Sequence, residues 1–119
     1  MGEGRKILLV EDNAIIAMDM ELSLSEAGWR VIGPVATAQQ AFDHIRDGLP
    51  DLAILDFNIR GGTSEEIALA LMEESVPVVF LSGDNTTTQI ESLKNCPVLS
   101  KPVAFGTIHA LLVRQFEGK

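Results

Sequence analysis

The hydrophobic pattern of the chain alternates short, continuous apolar runs with longer stretches in which apolar residues recur at helical spacing. The strand-like runs are Lys6–Val10, Arg30–Val35, Leu52–Leu55, Val78–Leu81 and Val98–Ser100. Continuous runs of Val, Ile and Leu are typical of parallel strands that are buried on both faces. Their regular alternation with helices predicts an α/β fold, in which helices cover both faces of a parallel sheet.

Capping and helix-breaking residues predict where the helices lie between these strands. The predicted helices run from Asn13, a capping residue, to about Ala27; from Thr37 or Ala38 to about Asp47; from Ser64, a second capping residue, to about Glu74; and from Gly106 to Phe116. Gly61-Gly62 is interpreted as a plain turn. The stretch from Asp84 to Asn95 is expected to hold only a short fourth helix, because its run of three threonines is poor helix material.

Length and composition indicate one soluble domain. A chain of 119 residues has the usual size of a single domain, and we expect residues 1–119 to form one without an effector domain. No apolar run approaches the ~20 residues that a membrane span needs, and the N-terminus lacks the features of a signal peptide. The single Cys96 fits a reducing compartment, so a cytoplasmic location is expected. The net charge of −8 disfavours nucleic acid as a partner and favours a protein.

Polar residues follow four of the predicted strands. Glu11 and Asp12 follow the first strand, Asp56 the third, Ser82 the fourth and Lys101 the fifth. Because ligands of open α/β sheets collect at the carboxyl ends of the strands, we expect these side chains to converge. Crowded carboxylates favour a divalent cation, and Mg²⁺ prefers oxygen ligands. The set therefore indicates phosphoryl chemistry with an Asp nucleophile.

Some of these residues also have structural interpretations when each is taken alone. Glu11-Asp12 suits a solvated helix entrance, and Ser82 suits a turn. Asp56 is harder to explain this way, because a carboxylate beside a buried strand needs a partner. His44 and His109 lie in predicted helices without a metal-ligand partner, so solvated or rim positions are favoured, and Trp29 is interpreted as a packing residue.

Taken together and in this order, the positions resemble a receiver domain of bacterial two-component response regulators over nearly the whole chain. The match comprises the acidic pair Glu11-Asp12, the phospho-accepting Asp56, the hydroxyl residue Ser82 followed by a small residue, and Lys101-Pro102. The resemblance implies a flavodoxin-like (βα)5 three-layer sandwich with a five-stranded parallel sheet of order 2-1-3-4-5. It also implies a signalling switch that catalyses only its own phosphorylation and dephosphorylation.

The resemblance further implies a role for each site residue. Asp12, Asp56 and the backbone carbonyl of Asn58 would bind Mg²⁺, with Glu11 acting mainly through water. Asp56 would accept a phosphoryl group from a sensor histidine kinase or a phosphotransfer protein. The roles implied at other positions are stabilisation of the phosphoryl group by Ser82 and Lys101, orientation of Lys101 by a cis-proline at Pro102, and tuning of dephosphorylation by Asn58 and Asp84.

The chain also departs from the family's common pattern. Arg60 stands where a proline is frequent, Val98 stands where many receivers have an aromatic switch residue, and the segment between Ser82 and Lys101 is short. These features resemble a receiver subgroup that occurs alone, at the end of hybrid kinases or fused to stress-response regulators. Members of this subgroup are often paired with kinases of the HWE type.

Two other functions are compatible with parts of the pattern. A small Mg²⁺-dependent phosphohydrolase would use Asp56 as nucleophile, but it commonly needs a second Asp two residues later, where this chain has Asn58. A degenerate receiver would bind a partner without phosphorylation, and the intact site residues disfavour it.

The first predicted helix carries two apolar stripes. Ile16, Met20, Leu24 and Ala27 form a stripe suited to the core, whereas Ile15, Met18 and Leu22 form a second stripe on another face. The second stripe either packs on a neighbouring helix or is exposed. Because the helix begins beside Asp12, our hypothesis is that an exposed stripe docks the histidine-bearing helical bundle of a kinase.

Overall fold

The computed structural model describes residues 4–83, 93 and 95–117 of the chain. Its strands are β1 (Lys6–Val10), β2 (Arg30–Val35), β3 (Leu52–Asp56), β4 (Asn58–Ile59), β5 (Gly62–Thr63), β6 (Val78–Ser82) and β7 (Val98–Ser100). Its helices are α1 (Ala14–Glu26), α2 (Ala38–Asp47), α3 (Glu65–Glu73) and α4 (Phe105–Glu117). The predicted short fourth helix falls on residues 84–95, most of which lie outside the described residues.

Five strands form one parallel sheet of order β2-β1-β3-β6-β7. Without the short strands β4 and β5, which pair with each other in a separate antiparallel sheet, this is the predicted order 2-1-3-4-5. The predicted flavodoxin-like fold is therefore confirmed. In this order β1 and β3 are neighbours, and the first crossover leads to one side of β1 while the next leads to the other. The carboxyl ends of β1 and β3 consequently meet at the point where the winding changes direction.

The three central strands are buried along nearly their whole length, as their continuous apolar runs predict. Alternate side chains point to opposite faces of the sheet and enter two different cores. Leu8, Val10 and Leu55 pack with residues of α2 and α3, whereas Leu9 and Ile54 pack with residues of α1 and α4. The three layers follow from this alternation.

Of the two predicted capping residues, Asn13 caps its helix and Ser64 does not, whereas Thr37, one of the two predicted starts of the second helix, is a cap. The Asn13 side chain accepts hydrogen bonds from the backbone N–H groups of Ile15 and Ile16, both at 3.1 Å. Thr37 caps α2 by accepting from Gln40 N. Ser64 occupies the N-cap position of α3 without capping it, because its Oγ turns back and donates to the carbonyl of Phe57 at 3.5 Å.

The faces of α1 correct one part of the predicted core. Ala17, Met20 and Leu24 are buried, whereas Ile16, predicted to be in the core, is 39% exposed. At about 100° per residue, Ile16 lies at the edge of the stripe that faces the sheet. Ile15, Met18 and Leu22 lie on the opposite side of α1 and are 81%, 67% and 59% exposed. The second stripe is therefore a surface feature of the described structure.

None of the helices among the described residues combines the length and the apolar character that crossing a bilayer requires.

We predict that Gly33→Ala in β2 lowers the free energy of unfolding. Gly33 has a φ of +99°, and a Cβ atom there would lie 2.9 Å from Val35 N and 3.0 Å from the carbonyl oxygen of Leu9. The expected loss is about 1–3 kcal/mol, measured by chemical denaturation. Gly106→Ala is the matched control, because its Cβ would meet no atom within 4 Å and a helical Gly-to-Ala change stabilises by up to about 1 kcal/mol. Equal effects of the two substitutions would contradict the prediction.

Candidate functional site

The carboxyl ends of four parallel strands bring the predicted site residues together. Asp56 and Ser82 are the last residues of β3 and β6, and Glu11 and Lys101 directly follow β1 and β7. Two backbone hydrogen bonds anchor this edge: Phe57 N donates to Leu81 O at 2.9 Å, and Lys101 N donates to Ser82 O at 2.8 Å. The convergence expected from the sequence is thus present in the structure.

The Lys101 ammonium contacts two carboxylates at once. Its Nζ lies 3.0 Å from Asp56 Oδ2 and 3.2 Å from Glu11 Oε1. The carboxylate side chains are almost fully buried, at 8% and 1% exposure, whereas the Lys101 side chain retains 26%. The Lys101-Pro102 peptide bond is cis, as the resemblance implied. Lys101 therefore reaches across the edge of the sheet from β7 to β1.

Three carboxylates at this edge form a cluster that suits a divalent cation. Glu11, Asp12 and Asp56 each offer an oxygen, and these three oxygens lie within 4.8 Å of one another. Glu11 Oε2 accepts a hydrogen bond from Asn13 N, and the buried Glu11 Oε1 pairs with the Lys101 ammonium. The three carboxylates carry more negative charge than the one ammonium can balance, and they offer only oxygen ligands. Both properties suit Mg²⁺.

The electrostatic imbalance of the site shifts the pKa values of Asp56 and Lys101. Burial raises the pKa of Asp56 from 3.8 to about 6; the hydrogen bond from Lys101 opposes this rise, and the negative charge of Glu11 adds to it. Burial alone lowers the pKa of Lys101, but its hydrogen bonds to Asp56 and Glu11 and their charges outweigh burial and raise it. A cation bound at the oxygen cluster would favour the ionised form of Asp56.

The remaining site predictions have different outcomes. Ser82 is buried at the end of β6, next to this edge. Asn58 is exposed at the start of β4, two residues after Asp56, and the role of its carbonyl stays a prediction. Asp84 lies outside the described residues. Val98, at the position of the family's aromatic switch, is partly buried against the core that contains Phe57 and Phe80.

Sequence reasoning missed two features beside the site. The first is the contact between Lys101 and Glu11, since Glu11 was assigned to the metal through water. The second is a groove of about 510 Å³ between α1 and the start of α4, whose lining includes Ile15, Ile16, Met20, Lys101 and Phe105. The apolar residues of α1 carried a signal for the groove, and the predicted topology places the last helix on the same face, but no local pattern shows how closely the two helices approach.

Comparisons with known proteins agree with this geometry. A family model described as the response regulator receiver domain matches residues 7–113. The solution structure of SdrG from Sphingomonas melonis Fr1 is 35% identical, covers 95% of this chain and 97% of SdrG, and has a TM-score of 0.79. The receiver domain of Erythrobacter litoralis PhyR has a TM-score of 0.84 over 93% of this chain and 88% of that one; at 20% identity, this is a likeness of fold alone.

A longer protein is also similar to the chain. Transcriptional regulatory protein PdtaR of Mycobacterium tuberculosis (strain ATCC 25618 / H37Rv) is 25% identical over 97 residues, which are 81% of this chain and 47% of PdtaR. The chain thus spans about half the length of this curated relative.

We predict that two substitutions move the pKa of Asp56 in opposite directions. Lys101→Met removes the hydrogen-bond donor that lowers this pKa, so the pKa should rise above about 6. Glu11→Gln removes the negative charge that raises it, so the pKa should fall. Carboxyl ¹³C NMR titration without metal measures both shifts, and Lys6→Met, at the opposite end of β1, is the control. Shifts of the same sign would show that the site charges are not coupled as described.

Proposed function

The chain belongs to the family of response regulator receiver domains, and we propose that it is a phosphoacceptor switch in which Asp56 takes a phosphoryl group from a phosphohistidine. The donor would be a sensor histidine kinase or a phosphotransfer protein. The observation that carries this proposal is the Lys101 ammonium 3.0 Å from Asp56 Oδ2, at the edge of a cluster of three carboxylates. The proposed nucleophile, Asp56, and a cation that can balance charge on the phosphoryl oxygens are thereby held next to each other.

The transfer step follows from the position of Asp56. A carboxylate oxygen of Asp56 attacks the phosphorus atom, the P–N bond to the donor histidine breaks, and its electron pair stays on the imidazole nitrogen. The product is an aspartyl phosphate. The Lys101 ammonium moves little to meet the new phosphoryl oxygens, because it already lies beside Asp56. Ser82, buried at the neighbouring strand end, is proposed to donate its hydroxyl to another phosphoryl oxygen.

Glu11, Asp12, Asp56 and the backbone carbonyl of Asn58 are the residues proposed to hold Mg²⁺. When bound, Mg²⁺ would neutralise charge on the carboxylates and on the phosphoryl oxygens. Pro102 follows a cis peptide bond and, in this proposal, orients the Lys101 side chain. Asn58 and Asp84 are proposed to tune dephosphorylation, because both side chains can hydrogen-bond an attacking water. Each of these roles rests on the family pattern together with the position of the residue.

The exposed stripe on α1 is the proposed docking surface for the phosphodonor. Ile15, Met18 and Leu22 project from the helix that begins beside the site, and Ile15 also borders the groove next to Lys101. A histidine-bearing helix must approach Asp56 closely, so it would meet this stripe. A kinase of the HWE type is proposed as the donor because Arg60 and Val98 depart from the common pattern as in that subgroup. The downstream partner is proposed to be a protein.

We predict that acetyl phosphate and Mg²⁺ add one phosphoryl group to the chain and that Asp56→Ala abolishes the addition. Intact-protein mass spectrometry measures the added mass. Chelation with EDTA should prevent labelling, because it removes the cation that would balance the charge of the acidic cluster. The control is Asp43→Ala, which removes an exposed carboxylate on α2 and should label as the wild type does. Equal labelling of the Asp56→Ala variant would contradict the proposed function.

We predict that Met18→Lys and Leu22→Glu slow phosphotransfer from a histidine kinase without changing acetyl phosphate labelling. Since both side chains are mostly exposed, the free energy of unfolding should change by no more than about 0.5 kcal/mol. Transfer rates from any kinase that phosphorylates the wild type measure the effect, and Met72→Lys, at another exposed methionine on α3, is the control. A loss of several degrees in melting temperature would instead show that the stripe packs within the fold.

A further inference from the structure

A hydrogen bond joins the only tryptophan of the chain to one of its two histidines. Trp29 Nε1 lies 3.0 Å from His109 Nδ1, across 80 residues of sequence. Trp29 directly precedes β2 and is 4% exposed, whereas His109 lies on the second turn of α4 and is half-buried. The hydrogen bond therefore joins α4 to the residue that precedes β2, an edge strand of the sheet.

The chemistry of the two groups fixes the protonation state that this bond requires. An indole N–H can only donate, so His109 Nδ1 must carry a lone pair and accept. A protonated imidazole has an N–H on both ring nitrogens and cannot accept. Protonation of His109 would therefore set two donors against each other and leave the buried indole N–H without its acceptor.

The surroundings of His109 are mainly aromatic. Phe105 stacks on the imidazole with ring centroids 5.7 Å apart, and Phe116 packs on Trp29 at the same centroid distance. Arg5 lies over Phe116, with its guanidinium carbon 4.3 Å from the ring centroid. The charged residues of the neighbouring elements are Asp19, Glu21 and Glu26 on α1, Arg30 at the start of β2, and Arg114 and Glu117 on α4. Within residues 4–83, 93 and 95–117, His109 takes part in no ion pair, so no carboxylate there holds an imidazolium in place.

His109 also contacts the residue at which α4 begins. Phe105 is the first residue of α4, follows Lys101 by four positions and lines the groove beside the site. The stacked rings of Phe105 and His109 therefore connect the start of α4 to Trp29 on the opposite side of the cluster. The Trp29–His109 bond is therefore anchored on the helix that follows the Lys101 segment.

We propose that the Trp29–His109 hydrogen bond is a proton-operated latch, which holds α4 against the entrance of β2 while His109 is neutral and opens when His109 is protonated. The bond is present while His109 Nδ1 carries a lone pair, and it is lost once the pH falls far enough to protonate His109.

The test follows the indole N–H signal of Trp29 in ¹H–¹⁵N correlation spectra of the full chain from pH 8 to pH 5. Because the chain has one tryptophan, the signal needs no assignment. We expect it to shift along a single titration curve. We also expect its solvent exchange, corrected for the intrinsic pH dependence, to become roughly tenfold faster at the acidic end. A signal that stays in place throughout would overturn the proposal.

Three variants identify the titrating group. His109→Asn keeps an acceptor oxygen near the position of Nδ1 but cannot titrate, so the indole signal should become independent of pH. His44→Asn removes the other histidine, on α2, and should leave the titration unchanged. Asp56→Asn should also leave it unchanged; this control is needed because the pKa of Asp56, about 6, lies in the same range. Titration that persists in His109→Asn, or disappears in His44→Asn or Asp56→Asn, would overturn the proposal.

Discussion

The contact of one ammonium with two buried carboxylates is the interaction on which the site depends. Lys101 reaches Asp56 and Glu11 from the far edge of the sheet, and both carboxylate side chains are almost fully buried. Burying an unpaired ionised carboxylate costs several kcal/mol, so the ionised forms of both side chains depend on the nearby ammonium. The contact in turn requires the strand order, because only β1, β3, β6 and β7 in parallel place these residues at one edge.

The site remains electrostatically incomplete even with Lys101 in place, and this has a consequence for stability. The folded state favours the neutral form of Asp56, whose pKa is raised to about 6. In the unfolded chain the pKa of Asp56 is near its ordinary value of 3.8. The free energy of unfolding therefore falls as the pH rises from about 3.8 through about 6, because the folded state must give up a proton that it binds more tightly. At neutral pH, a positively charged group near the cluster offsets this loss of stability. A site that is destabilised in this way is stabilised by any cation that binds at the carboxylate cluster.

The sequence was sufficient for the sheet and for most of the site, because both depend on regular patterns. Buried parallel strands are continuous apolar runs, and their carboxyl ends must share an edge, so Asp56 and Lys101 could be placed together from sequence. The hairpin of β4 and β5 was missed because two-residue strands have no periodicity. Ile16 was wrongly placed in the core because it lies at the edge of its stripe. The Trp29–His109 bond joins residues 80 positions apart, and no local pattern encodes such a contact.

Glu11 links the site to the surface of α1 through its two carboxylate oxygens. Oε1 faces the Lys101 ammonium at 3.2 Å, and Oε2 accepts a hydrogen bond from Asn13 N at 3.1 Å. The side chain of Asn13 in turn caps α1, the helix that carries the exposed stripe. If Lys101 moves away from Glu11, the Glu11 carboxylate loses its neighbouring positive charge. The same carboxylate accepts the hydrogen bond from the backbone of Asn13, the capping residue. Asp56 and the surface proposed for docking are therefore joined by one short chain of contacts through Lys101, Glu11 and Asn13.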